Sequence, residues 1–561
     1  MSYMRLAAIG TVSLLMAAAC SKTENTVEMA LETTDNILFD YVPSATPYLA
    51  GNLKPTPDEV IEAFLQRLAP VLESVQSELD KARQTLENQA AAHDEDDSSL
   101  LNAVLQELDG KFSRQGMESL GFDLRSHKVV YGMGVFPVLR IGLSDADALR
   151  ATIQRVLANA GINAAELEHQ GISYWQLSDG DTADQPVGIY VAIFDDHLAM
   201  SIFPPMAETE LLPAFLGLDM PGDSNAATRL AELNAKHAYT SYGSGILDFG
   251  RLIEKFISPD TLIARVLAIN SSFDPAEMTP ECITEIRSIV SNWPRMTVGI
   301  RELTTSAIAL QYRVETKPTL ARQIAGLVAA VPVANPLSDR ILEFSFGMRF
   351  GAVRDFLREK AAAIMENPYR CEHLQSINES ATEAFTQLNR PMPPLVNNFR
   401  GLRLSLSEIT ETNSMPVNGR GLIAVHVDQP ELFVGMARMF LPDLSELTLA
   451  PGEPPVQLPV SLLPMTDVVA FAALSAEAIG LSIGDGEQAR LLPYLAEEAG
   501  PAGTFMSIGY DMTAYLEYAE HLTPFASTSA QQAVQSFFGR SYTSFRFTPE
   551  GFEADSRMAF K

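Results

Sequence analysis

Three short stretches place chemically capable side chains side by side. Asp195-Asp196-His197 combines two carboxylates with an imidazole, the donor set of a metal site or an acid–base pair. It falls between two apolar runs, where Asp-Asp also favours a plain strand-to-strand turn. Tyr242-Gly-Ser244-Gly245 resembles a nucleophile turn but lacks the leading glycine of Gly-x-Ser-x-Gly, so a serine in a turn is expected. Asp94-Glu-Asp-Asp97 is acidic enough for a calcium loop, yet it lacks the alternating ligand spacing and the glycine.

The wider search leaves no catalytic or binding motif standing. His-Glu-x-x-His, Cys-x-x-Cys and Ser-x-x-Lys do not occur, and no two of the eight histidines are four residues apart. Short strands ending in glycine recur at Gly51, Gly245, Gly347 and Gly509, each leading towards a helix. None continues into a phosphate-binding loop, so backbone freedom at a strand-to-helix turn is the expected reason for the glycine. No metal, cofactor or catalytic residue is assigned. The chain reads as non-enzymatic.

The three cysteines carry the clearest signals. Cys20 follows one basic residue, Arg5, an apolar run from Leu6 to Ala18, and the small residues Ala18-Ala19. These are the parts of an export signal, too short to span a bilayer. The junction resembles the lipobox of bacterial lipoproteins, with Ala17 where leucine is commonest. That resemblance implies cleavage after residue 19, acylation of Cys20 and a membrane anchor through palmitate. Ser21 rather than Asp after the cysteine implies sorting to the outer membrane of a Gram-negative cell, with the body facing the periplasm. Cys282 and Cys371 then form an even pair in an oxidising compartment, expected as one disulfide; two buried free thiols are the alternative.

Composition narrows the partners. Forty Lys and Arg against 70 Asp and Glu give a net charge of −30, which argues against nucleic acid, since phosphates need clustered cations. An apolar fraction of 47% is that of a folded chain.

The elements that must position these residues repeat. Met200-Ser-Ile202 followed by Leu211-Leu-Pro213 matches Leu481-Ser-Ile483 followed by Leu491-Leu-Pro493. The segments around Gly245 and Gly509, and hairpins around Thr304-Thr-Ser306 and Pro549-Glu-Gly551, follow in the same order. The expected organisation is a signal peptide over 1–19, a tether over 20–38, and two α+β halves over 39–330 and 331–561. Each half is expected as mostly antiparallel sheet covered by amphipathic helices, the product of internal duplication. Individual elements are legible. Thr56 caps a helix from Pro57 with an apolar face of Val60, Ile61, Phe64, Leu65 and Leu68, which Pro70 should break. Asp145 or Ser144 caps another with the stripe Leu149, Ile153, Val156 and Leu157, ended by Gly161. Trp175 and Trp293 are expected as core or hairpin anchors, and Pro451 to Pro464 as an extended surface excursion.

The segment Phe39-Asp-Tyr-Val-Pro43-Ser-Ala-Thr-Pro47-Tyr-Leu49 resembles the start of a family of proteobacterial envelope lipoproteins without an established activity. The resemblance covers about fifteen residues and implies the address, not a mechanism. A binding or scaffolding role in the envelope is the leading expectation, through an envelope protein partner. A periplasmic chaperone or carrier of apolar cargo, and a hydrolase with an unrecognised site, are the alternatives.

Overall fold

The computed structural model describes residues 36–69, 99–111, 113–162, 164–177, 187–270, 274–412, 415–440, 443–444, 447–462, 468–514 and 537–561. Cys20, the signal peptide, most of the tether, Pro70 and the acidic stretch 94–97 lie outside them.

Among these residues nineteen strands form one antiparallel sheet. The first ten are β1 Tyr48–Gly51, β2 Lys128–Met133, β3 Phe136–Gly142, β4 Glu166–His169, β5 Ile172–Leu177, β6 Gly188–Ile193, β7 His197–Phe203, β8 Ser244–Asp248, β9 Arg295–Thr304 and β10 Ala307–Glu315. The others are β11 Leu342–Gly347, β12 Phe399–Thr412, β13 Met415–Val427, β14 Val456–Gln457, β15 Ala470–Leu474, β16 Ala478–Ile483, β17 Thr504–Asp511, β18 Phe538–Thr548 and β19 Gly551–Phe560. At the middle, β10 pairs with β19 from Ala307↔Ala559 to Glu315↔Gly551. Outward from β10 run β9, β8, β1, β2, β3, β7, β6, β5 and β4. Outward from β19 run β18, β17, β11, β12, β13, β16, β15 and β14. Sheet with helices grouped against it is an α+β architecture, as the sequence pattern requires.

Local signals act where expected. Asp145 accepts from Ala148 N at the start of helix Ala146–Asn159, satisfying an N-terminal donor, and Gly161 follows the helix at φ +70°. Leu149 and Leu157 turn inward onto Trp175, Val191 and Leu198. Thr279 and Pro280 open helix Pro280–Val290 in the same manner. The helix expected from Pro57 begins at residue 58, with Val60 packed on Ile300 and Leu303. Both hairpins form, β9–β10 and β18–β19.

The largest core lies in the first half. Tyr190 stacks on Phe203 at 3.8 Å, and Leu49, Tyr131, Phe215 and Leu230 close around them. Its smaller counterpart joins Leu422, Ala424 and Ala478 to Leu491 and Leu495.

Two expectations need correction. Gly51, Gly245, Gly347 and Gly509 lie within strands, and none has positive φ. What they give is room: a Cβ on Gly245 would meet Ala50 Cβ at 2.8 Å, and one on Gly347 would meet Ala329 O at 2.6 Å. Trp175 is a core residue, but Trp293 sits in the turn before β9 and is 41% exposed. The proline-rich excursion is extended as expected, and its β14 pairs with β15.

Candidate functional site

The cluster singled out by sequence, Asp195-Asp196-His197, closes on itself. His197 opens β7 and is buried. Its Nδ1 lies 2.6 Å from Asp196 Oδ1 and its Nε2 lies 2.8 Å from Arg140 Nη1. A guanidinium only donates, so Nε2 accepts and Nδ1 carries the proton that it donates to Asp196. The ring is therefore neutral, and burial pushes its pKa below the ordinary value. Arg140 is fully buried in β3. It also donates to Phe215 O at 2.7 Å and to Tyr131 Oη at 3.2 Å, and its guanidinium lies 3.7 Å from the centre of the Tyr41 ring. Through these bonds the group fastens strand to helix. The sequence reading missed Arg140; its position two residues after the buried Val138 on a strand marked it as inward-facing.

An analogous arginine lies in the other wing. Arg403 of β12 donates to Tyr494 O at 2.8 Å and to Glu497, and sits 3.9 Å from the Tyr494 ring centre. Arg140 and Arg403 thus each hold the C-terminal end of a Leu-Leu-Pro helix, Glu208–Phe215 and Gln488–Leu495.

Ser244 is a strand residue of β8, paired with Gly51 and Gly299 rather than raised on a turn. Among the described residues no group of three His, Cys, Asp or Glu side chains could hold a metal ion. No described helix is long and apolar enough to cross a membrane.

Cys282 and Cys371 form a disulfide, with Cα atoms 4.4 Å apart. Glu285, one turn after Cys282, accepts from the backbone N–H groups of Arg370 and Cys371 at 2.9 Å each. The bridge therefore fastens helix Pro280–Val290 to the segment between helices Phe350–Glu366 and Gln375–Leu388. It closes a loop of 89 residues. Reduction is expected to destabilise the fold by about 2–4 kcal/mol, read as a lower thermal midpoint in dithiothreitol. An unchanged midpoint with both thiols titrating free would remove the bridge from the stability account.

The sheet's middle holds a second polar cluster, on one face of β10 and β19. Gln311 donates to Asp555 at 2.8 Å. Arg313 meets Glu550 at 2.5 Å and Glu553 at 3.0 Å, and Arg546 meets Glu553 and Asp555 at 2.8 Å each. The opposite face is apolar, with Ile308 and Leu310 packed towards Val60. Alternation along β10 thus separates a greasy face from a charged one. Helix Ala226–His237 ends beside the charged face. Lys236 reaches Glu315 at 2.8 Å, while His237, 6% exposed, has no hydrogen-bond partner at Nε2 among the described residues. Burial, and then the charges of Arg313 and Lys236, push the His237 pKa down to about 4. A cavity of about 320 Å³ opens here, lined by Lys236, His237, Arg313 and the hairpin residues Thr548, Pro549, Glu550 and Glu553. Two cations face two carboxylates across a neutral imidazole. The sequence reading missed this site because its residues are spread from 236 to 553 and share no motif.

Comparison with protein-family models, with curated proteins and with solved structures found no match.

Proposed function

We propose that this chain is a lipoprotein anchored through Cys20 to the outer membrane, with a duplicated α+β body that binds or scaffolds other envelope components without catalysing a reaction. The observation that carries the binding role is the seam cavity. Its carboxylates are already held by Arg313, so general-base work is disfavoured, while its shape and polarity suit holding a ligand. The Cys282–Cys371 bridge supports an oxidising compartment.

Duplication is supported by register. The β9–β10 hairpin closes at Thr304↔Ala307 and the β18–β19 hairpin at Thr548↔Gly551, an offset of 551 − 307 = 244 residues. Under that offset Ala307 corresponds to Gly551 and Glu315 to Ala559. The pair Ala307↔Ala559 then maps onto Glu315↔Gly551, which is also present. A two-fold relation of this kind would pass through Gln311 and Asp555, since 311 + 244 = 555.

A carrier of apolar cargo is the second reading, favoured by helix Pro430–Phe440, where Leu432 and Met439 are 49% and 71% exposed. A hydrolase would need a carboxylate or Ser/His pair free of structural partners.

The anchor is tested by growth with labelled palmitate. The label is expected in the wild-type chain and absent from Cys20→Ala, which should leave the membrane fraction. Label retained by Cys20→Ala, or unchanged fractionation, would refute the placement. Crosslinked envelopes should yield a defined protein partner; turnover of an envelope polymer with no partner recovered would overturn the scaffold role.

A further inference from the structure

The seam cavity is built from three elements. Lys236 and His237 come from the end of helix Ala226–His237, Arg313 from β10, and Glu550 and Glu553 from the turn and first residues of the β18–β19 hairpin. Two buried polar atoms among these side chains have no hydrogen-bond partner among the described residues: His237 Nε2 and Arg313 Nε. Buried groups of this kind are ordinarily satisfied, because an unmade bond leaves the desolvation cost uncompensated. Both can donate, the imidazole in the tautomer that protonates Nε2. Lys236 adds spare capacity, since its ammonium has three N–H groups and Glu315 takes one. On the opposing side, Glu550 is 61% exposed and gives one oxygen to Arg313, which leaves acceptor positions open.

Charge balance selects the ligand. A simple anion would gain Lys236 and Arg313 but face Glu550 and Glu553, and a simple cation would meet the reverse. A molecule with one charge of each sign, and no net charge, meets neither penalty. We infer that the cavity formed by Lys236, His237, Arg313, Glu550 and Glu553 binds a small zwitterion, an amino acid or short peptide. Its carboxylate accepts from Lys236, beside His237 and Arg313, and its ammonium donates to Glu550. The volume of about 320 Å³ lies at the small end of ligand pockets, which suits a compact molecule. This inference rests on the binding role proposed above but not on the lipid anchor.

Titration calorimetry on the full chain tests it, with alanine and Ala-Ala as zwitterions, N-acetylalanine as the carboxylate alone, alanine amide as the ammonium alone, and inorganic phosphate. A zwitterion is expected to bind at least about tenfold more tightly than either blocked form, the effect of one charge-assisted hydrogen bond. Lys236→Met and Glu550→Gln alter side chains that are 54% and 61% exposed, so the fold should tolerate both. Each should weaken the zwitterion by about tenfold, and Glu550→Gln should abolish the preference for alanine over N-acetylalanine. N-acetylalanine or phosphate binding as tightly as alanine would make this a plain anion site and overturn the inference. So would heats absent for every probe, or affinities unmoved in both variants. A defined partner recovered from crosslinked envelopes alongside silent titrations would leave the scaffold role standing and remove only the ligand.

Discussion

Replacing Arg140 with methionine is expected to destabilise the protein by about 3–5 kcal/mol, measured as a shift in the urea midpoint of the first half's unfolding. Methionine fills most of the arginine stem's volume, so the loss is not chiefly a cavity. It is the loss of bonds to Phe215 O, His197 Nε2 and Tyr131 Oη, all in a region closed to water, together with the stacking on Tyr41. Each buried acceptor left unmade costs about 1–3 kcal/mol, and the cation–π contact adds up to about 2. Against this stands the relief of no longer burying a guanidinium. Among the described residues no carboxylate is hydrogen-bonded to Arg140; compensation comes through His197 from Asp196. Relief would win only if the partners were removed too. Hence His197→Leu added to Arg140→Met should recover part of the loss, with a coupling of about 1–3 kcal/mol. Asp196→Asn should cost far less, because Asp196 is 53% exposed. A shift within about 1 kcal/mol of wild type for Arg140→Met would show that this buried arginine is not what holds helix Glu208–Phe215 to the sheet.

How far the sequence reaches follows from how local each signal is. Asp145 and Gly161 mark a helix because capping and left-handed termination act within a turn of the chain. The two hairpins are equally local, and alternation in Leu402–Leu406 marks a strand, although its buried residues are Arg403 and Ser405 rather than the leucines. The cysteine pair was legible for a different reason: two thiols left over beside Cys20, in a chain whose start reads as an export signal, have few other expected uses. The groups that build the polar sites gave no such signal. Arg140 meets Phe215 across 75 residues and Arg340 meets Glu487 across 147, distances at which only topology sets contact. The Arg340–Glu487 pair is a buried two-point ion pair, yet neither residue stands out in its own stretch of sequence. The glycines show the converse error. A glycine before a helix reads as backbone freedom, but Gly245 and Gly347 are small because a neighbouring strand or loop crowds the missing Cβ. Side-chain parity would have found Arg140; nothing short of the fold would have found the seam cavity.

Lowering the pH from 6.5 to 4 is expected to remove about 5 kcal/mol of the protein's stability, ahead of the range in which ordinary carboxylates titrate. Burial holds His237 and His426 down to about 4, and His197 below its ordinary value. Around His237 the charges are mixed, Arg313 and Lys236 against Glu315 and Glu550; beside His426 stands the charge of Arg403. In the unfolded chain each histidine takes up its proton near 6.5. Below that value the unfolded state binds protons that the folded state refuses, so stability is complete above about 6.5, falls with pH, and levels off below about 4 for these two groups. Each contributes a slope approaching 1.4 kcal/mol per pH unit. The sum is about 3 kcal/mol for His426 and about 2 for His237, whose cavity admits screening water. Against a whole of about 5–15 kcal/mol that is a large fraction. The net charge of −30 acts the other way, because acid relieves its self-repulsion. Salt screens such surface repulsion over a Debye length of about 8 Å, so the buried imidazoles win. Glu107, held by Arg155 down to about 2, adds to the loss only below pH 4.5. Thermal midpoints taken from pH 7.5 to 4 should therefore fall steeply from about 6 downward, and His426→Gln should flatten part of the fall. Midpoints that stay level from pH 7 to pH 5 would mean that these rings protonate freely in the folded state, and that water reaches the interior faces of β7 and β13.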